Sequence, residues 1–444
     1  MSEKPNILYI FTDQQSATAM SCAGNTDLKT PNLDRLAARG VRFPRAYSAF
    51  PLCTPARAAM FTGRYPHEVG IDENNVPIAD DWIPKGLGHI VAAAGYDCVY
   101  GGKWHVPEIE IPDEKHGFRK ICGFDDLNLA QSCVEFMAEK HEKPFFLVAS
   151  FDNPHNICEW GRQQNLPWGT IGNEPPLGDM PNLPANFDVP PFEPRCIDEW
   201  YRNHPRLMVH REKYTREEWR RFRWGYNRIV EKVDGEIGKI LDALDEQRLT
   251  DKTIVIFSSD HGDHQGAHRL PQKWTFYEES ARVPFIMAGP GIVGPGRTDD
   301  TLVNASLDMY ATVCDYAGAE GHANPDARSL RALAEDESAA LGRDHVCSET
   351  NFKNIRVRGR MVRTDRHKYS AFEFGLYREC LADMTADPGE MVNLAIESRY
   401  DDVVQEHRDL LRAWCERSSD NFGHHYGHRD IPFQVPGQDS QFDA

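Results

Sequence analysis

The chain has 444 residues, with 50 Lys and Arg against 68 Asp and Glu, for a formal net charge of −18. That length exceeds what one hydrophobic core usually supports and predicts one large α/β domain with a smaller appendage. The negative charge argues against a general nucleic-acid or anionic-membrane binder, so an anionic substrate would have to meet a local cluster of cations.

Met1 to Pro5 leads straight into a short apolar run, with no basic segment, long apolar stretch or small-residue cleavage site of a secretion signal. Eleven cysteines, an odd number without tight spacing, do not form a disulfide framework. The expectation is a cytoplasmic protein, or a periplasmic one if the chain has been trimmed, with a homo-oligomer compatible with either. No apolar run is long enough to cross a membrane.

Four short runs, Asn6 to Phe11, Tyr96 to Tyr100, Phe145 to Ser150 and Thr253 to Phe257, are rich in β-branched or aromatic residues and barely alternate. Parallel strands covered on both faces read this way. Between them, Thr30-Pro31 opens a helix that Gly40 closes, and Gly161 to Pro194 reads as a long ordered loop or lid, rich in Pro, Asn and Gly. The capping box Thr215-Arg216-Glu217-Glu218 starts a long amphipathic helix whose apolar face runs from Trp219 to Leu244. This strand–helix alternation predicts a doubly wound, mainly parallel α/β sheet over a catalytic domain, residues 1–342. Short strand-like pieces, Asn354 to Thr364 and Lys368 to Phe374, then a helix near Tyr400 to Ser418, predict a smaller C-terminal α+β subdomain, 343–420. A tail, 421–444, carries His424-His425-Tyr426, and its sequence leaves its order open.

Each strand is followed by polar residues: Asp13-Gln14, Lys103-Trp104-His105, Asp152-Asn153-Pro154-His155, and Asp260-His261-Gly262-Asp263. In open α/β sheets the site forms beyond the carboxyl ends of the strands, so these clusters should converge. A fifth element is Cys53-Thr54-Pro55-Ala56-Arg57, followed by Phe61-Thr62-Gly63-Arg64. Thr54 and Pro55 suit the N-cap and first position of a helix and Gly63 its stop, which places Cys53 just before an electropositive helix terminus. Such an end stabilises an anionic nucleophile or a bound oxyanion.

Cys53-Thr54-Pro55-Ala56-Arg57 with Thr62-Gly63-Arg64 resembles the signature of the type I, formylglycine-dependent sulfatases of the alkaline phosphatase superfamily. The likeness covers most of the chain, through Asn6 to Gln14, Thr30 to Arg39, Gly102 to His105, His155, Ser259 to His261, Lys273 to Pro284, and Leu381 to Leu394 with its Asp-Pro-Gly-Glu. The resemblance implies an alkaline-phosphatase-like fold and hydrolysis of a sulfate ester to alcohol and inorganic sulfate. Cys53 would be oxidised to formylglycine by a formylglycine-generating enzyme, and its hydrate would be the nucleophile. Asp13, Gln14, Asp260 and His261, with the modified Cys53, would hold Ca²⁺. Gln14 stands where a second aspartate is commoner, which lowers the ligand charge. Arg57 would hold the formylglycine hydroxyls, Lys103 and Lys273 the sulfate. His155 would protonate the leaving alcohol, and His105 would orient or deprotonate the diol before sulfate is eliminated and the aldehyde returns.

Oxygen donors in this set suit a hard divalent cation, whereas the imidazole of His261 also suits Mn²⁺ or Zn²⁺, so the metal's identity stays open. His261, His264 and His268 have a zinc-like spacing, but Gly262 and Gly266 make the segment a loop, and His264 and His268 are expected at the rim or facing the substrate. The substrate expected first is a sulfated carbohydrate and next a small aryl or alkyl sulfate. Trp160, Trp168, Trp200 and Trp219 are either sugar-stacking or packing residues. Three rivals stand beside this reading. A phosphonate monoester or phosphodiester hydrolase of the same superfamily would use the same residues. An unmodified thiolate enzyme pairing Cys53 with His105 would leave Asp13 and Asp260 unexplained. A catalytically dead binding protein is disfavoured because every residue type the reaction needs is present.

Overall fold

The computed structural model describes residues 4–204, 209–322 and 324–422; the tail residues 423–444, including His424-His425-Tyr426, lie outside the described residues. Among the described residues, eight strands form one sheet, in the spatial order β10 (Arg297–Thr298), β2 (Gly40–Arg42), β9 (Phe285–Ala288), β7 (Thr253–Ser259), β1 (Asn6–Asp13), β6 (Phe145–Pro154), β4 (Asp97–Gly102) and β5 (Arg119–Cys122). Only β9 runs antiparallel to its two neighbours, and the other pairings are parallel.

β1 shows why alternation is absent from the sequence. Ile7, Tyr9 and Phe11 enter one core with Met60, Phe61 and Tyr100, while Leu8 and Ile10 enter another with Leu33, Val233, Ile237 and Leu241. Both faces are covered, so every position from Ile7 to Phe11 is hydrophobic. The helix opened by Thr30 runs Pro31–Ala38, and the long helix runs Arg216–Glu246. The capping box closes at both ends: Thr215 Oγ1 accepts from Glu218 N at 3.2 Å, and Glu218 Oε2 accepts from Thr215 N at 2.7 Å. The segment from Gly161 to Pro194 holds little regular structure beyond a short 3₁₀ turn, Leu177–Asp179.

Beyond the main sheet, β12 (His345–Phe352), β13 (Val357–Thr364), β14 (His367–Phe372) and β15 (Glu379–Asp383) form an antiparallel sheet, with the helix Asp401–Ser418 packed on it through Val404, Leu411 and Trp414. The chain expected to be strand from Asn354 instead turns through Lys353–Ile355, with Arg356 in the left-handed region at φ 55°, before β13 begins. β12 is absent from the sequence expectation because Ser348, Glu349, Thr350 and Asn351 break its apolar run. Ala49, Ala59, Tyr65 and Leu307 of the larger body share a core with Trp414, so the small sheet and its helix are seated on that body beside the main sheet.

Candidate active site

β7, β1, β6 and β4 are consecutive neighbours, and their carboxyl ends bring Asp260, Asp13, His155 and Lys103 to one edge. The four polar clusters therefore converge as the topology demands. Cys53 is the first residue of the helix Cys53–Thr62 rather than the residue before it. Leu52, extended at φ −156°, is the cap, and its carbonyl closes the first turn on Ala56 N at 2.9 Å. The Thr54 hydroxyl, expected to cap, is instead spent on the His105 carbonyl at 2.8 Å, while Asn74 Oδ1 accepts from Thr54 N at 3.0 Å. Gly63 ends the helix at φ 66°, and a Cβ there would lie 2.5 Å from the Tyr310 ring.

Around the fully buried Cys53 sulfur lie Lys273 Nζ at 3.0 Å, His261 Nε2 at 3.2 Å and Asp13 Oδ1 at 3.6 Å. Burial and Asp13 raise the thiol's pKa, but Lys273, His261 and Lys103 outweigh them and hold it well below the usual thiol range. His105 is in the left-handed region at φ 58°, and burial lowers its pKa against the opposing pull of Cys53. Its buried Nδ1 has no partner.

Arg57, wholly buried, fixes both carboxylates: Nη2 donates to Asp13 Oδ2 and Nε to Asp260 Oδ2, each at 2.9 Å. Its Nη1 donates to the Lys103 carbonyl at 2.7 Å and Ser150 Oγ at 3.0 Å. Burial works against ionisation of Asp13, yet Lys103, His155, Lys273 and Arg57 keep its pKa well below the ordinary carboxylate value. Asp260 moves the other way, to about 6, because burial and the Asp13 charge dominate.

The second oxygens of the two aspartates turn toward His261 and Cys53. One donor atom each from Asp13, Cys53, Asp260 and His261 lies within 4.8 Å of the others. Ligands opposite each other across an ion at about 2.3–2.6 Å are about 4.6–5.2 Å apart, so the set fits a divalent cation. His261 Nδ1 sits 3.0 Å from the Gly262 carbonyl, which can only accept, so Nδ1 carries a proton, and in the neutral ring that a cation would bind the Nε2 lone pair faces the cluster. Gln14, at φ 76°, has its amide oriented in the same way. Its nitrogen donates to Asp263 Oδ2 at 2.7 Å, and its oxygen accepts from Lys273 Nζ at 2.8 Å. Among the described residues this is the one group of His, Cys, Asp and Glu side chains close enough to hold an ion.

His264 and His268 do not sit at a rim. Both are fully buried: His264 Nε2 is 3.0 Å from Thr275 Oγ1, and His268 stacks on Tyr277 with ring centroids 3.7 Å apart. Burial pushes His268 down to about 3 and keeps it neutral. The tryptophans are packing residues. Trp219 and Trp200 are buried, Trp160 packs on Trp224, and Trp168 meets Phe124 edge-on while its indole N–H donates to Asp152 at 2.8 Å. Asp152 is the main residue that sequence reasoning left without a role, although it opens the cluster that ends in His155; its Oδ1 accepts from Lys103 Nζ at 2.9 Å. Asp263, named in the Asp260 cluster without a role, holds the Gln14 amide, and Asn74 emerges only from the structure.

Asp13, Asp152 and Asp260 balance Arg57, Lys103 and Lys273 in formal charge, so a divalent cation would make this group of side chains cationic despite the −18 of the whole chain. This is the local positive charge that an anionic substrate needs.

The Sulfatase family profile matches residues 5–128 and 124–319, and the profile for the C-terminal part of N-sulphoglucosamine sulphohydrolase matches 266–416. The Delta 4,5-hexuronate-2-O-sulfatase of Bacteroides thetaiotaomicron is 31% identical over 448 residues, covering 95% of this chain and 90% of its own. A solved 2-O GAG sulfatase superposes with a TM-score of 0.83 at 30% identity, over 95% of this chain and 94% of its own. The phosphonate monoester hydrolase of Agrobacterium radiobacter shares the fold at a TM-score of 0.74 and 21% identity, over 93% of this chain and 96% of its own.

Proposed function

The chain belongs to the sulfatase family, and from that premise we propose that it hydrolyses a sulfate ester of a carbohydrate, with residue 53 as the nucleophile. The observation that carries this reading is the Cys53 sulfur at a helix N-terminus, with Lys273, His261 and Asp13 within 3.6 Å of it. A saccharide substrate is supported by the relatives named for a hexuronate 2-O-sulfate and a 2-O-sulfated GAG. The phosphonate hydrolase is a more distant neighbour that shares the fold alone.

A formylglycine made from Cys53 by a generating enzyme supplies a hydrated aldehyde as oxygen nucleophile, and a divalent cation supplies positive charge at a sulfate oxygen. Lys273, His261 and Asp13, which converge on residue 53, offer polar partners for hydroxyls at that position. Asp13, Asp260, the Gln14 amide oxygen and His261 would hold the cation. We propose Ca²⁺, because oxygen donors predominate and an imidazole is the exception. Arg57 braces the two aspartates from behind. Lys103 and Lys273 bind the sulfate oxygens, and Lys273 also lies against residue 53. His155, half-buried where the others are buried, stands toward solvent and gives its proton to the leaving alcohol. His105 accepts a proton from residue 53. The ten cysteines besides Cys53 form no disulfide among the described residues, which suits a reducing compartment, and a cytoplasmic location is part of this proposal.

Sulfate release from a panel of defined sulfated saccharides, alongside an aryl sulfate and an aryl phosphodiester, tests the reading. Faster turnover of a sulfated sugar supports it. Preference for the phosphodiester would move the chain to phosphoryl chemistry.

A further inference from the structure

Lys103 is a sulfate ligand in the mechanism above, and its ammonium has three N–H donors. Two are committed: Nζ lies 2.8 Å from Asp13 Oδ2 and 2.9 Å from Asp152 Oδ1. The third is left for an anion. Asp152 is itself 3% exposed and well occupied, because its other oxygen accepts from Trp168 Nε1 at 2.8 Å and Asn156 Nδ2 at 3.0 Å. A buried carboxylate held by three donors is fixed in place, and its charge would repel sulfate, so it does not itself bind the anion. Its backbone is pinned as well, since Asp126 accepts from Asp152 N and Asn153 N at 2.8 Å each.

Trp168 belongs to the long proline- and glycine-rich segment between Gly161 and Pro194, where regular structure contributes little to its placement. Its ring meets Phe124 edge-on at 5.2 Å, and its carbonyl accepts from Lys232 Nζ. The indole N–H to Asp152 is thus a polar link from this segment into the sulfate-binding machinery.

We infer that Asp152 and Trp168 are positioning residues: the insertion, docked through the Trp168 indole, holds Asp152 so that Asp152 and Asp13 together aim the third N–H of Lys103 at the substrate sulfate. The inference rests on the sulfatase reading of the site and adds that affinity for sulfate depends on a residue of the insertion that does not touch the anion.

Trp168→Phe keeps the ring and removes only the donor. The probe is inorganic sulfate, titrated calorimetrically into metal-loaded protein, with the melting temperature of each variant as the check on folding. Loss of one hydrogen bond to a charged group is expected to raise the sulfate Kd about tenfold. In a Lys103→Met background the same substitution should change Kd by less than about twofold, because its effect passes through Lys103. A merely structural role would cost the same in both backgrounds, and that result overturns the inference. Asp152→Asn is the second variant. It still offers an oxygen to Lys103 but turns an N–H₂ on the indole donor, and it should weaken sulfate at least as much as Trp168→Phe. A wild-type protein that does not bind sulfate overturns the site reading and this inference together, whereas wild-type binding with an unchanged Kd in Trp168→Phe overturns the inference alone.

Discussion

His261 Nε2 lies 3.2 Å from the Cys53 sulfur, with both side chains wholly buried. The Gly262 carbonyl keeps the Nδ1 proton of His261 in place, so in the neutral ring the nitrogen facing Cys53 carries the lone pair and can ligate a cation. His261→Ala should therefore lower metal content, read by elemental analysis, and activity together. Asp260→Ala should do the same more completely, because Asp260 also anchors Arg57. Full metal occupancy in both variants would show that the ion sits elsewhere.

Arg57 is the brace behind the two carboxylates. Removing one partner of a buried ion pair leaves uncompensated charge, so Arg57→Ala should cost about 3–5 kcal/mol of stability measured without metal. Added divalent cation should recover part of that loss by binding the freed carboxylates. A variant as stable as wild type in chelator would disprove the bracing role.

The structure of this site was largely legible beforehand because its information is local: a buried strand followed at once by Asp, Lys or His. What stayed hidden depends on contacts distant in sequence. Thr54 looks like a cap until the His105 carbonyl takes its hydroxyl. His268 looks like a rim residue until Asn186, 82 residues away, brings its Nδ2 within 3.2 Å of the ring's Nε2. β12 lacks an apolar run because Glu349 is buried there against His67, a partner far away in the chain.

That same pair gives a pH signature away from the metal cluster. Burial disfavours His67 protonation, but Glu349 Oε1 at 2.6 Å from Nδ1 outweighs it and raises the imidazole to about 9. A raised folded-state value stabilises fully below the unfolded value of about 6.5 and is lost as pH rises through about 9. The gap is worth about 3 kcal/mol. Denaturant unfolding of wild type and His67→Gln between those limits should show their difference shrinking as pH rises; a constant difference would remove the linkage.

The two catalytic histidines should separate by leaving group. If His155 protonates the departing alcohol, His155→Ala should slow sugar sulfates far more than sulfates of acidic phenols, which leave without a proton. His105→Ala should slow both alike. An unchanged leaving-group dependence in His155→Ala would end its role as the acid and leave the cation site untouched.

The central claim is that residue 53 acts as an oxygen nucleophile made from cysteine. Preparations expressed with graded amounts of a formylglycine-generating enzyme can be scored by peptide mass spectrometry for aldehyde at residue 53 and assayed for sulfate release from a sulfated saccharide. The account predicts turnover in proportion to the aldehyde fraction, reaching zero in Cys53→Ala. Full turnover from protein whose Cys53 is entirely unmodified thiol would contradict it.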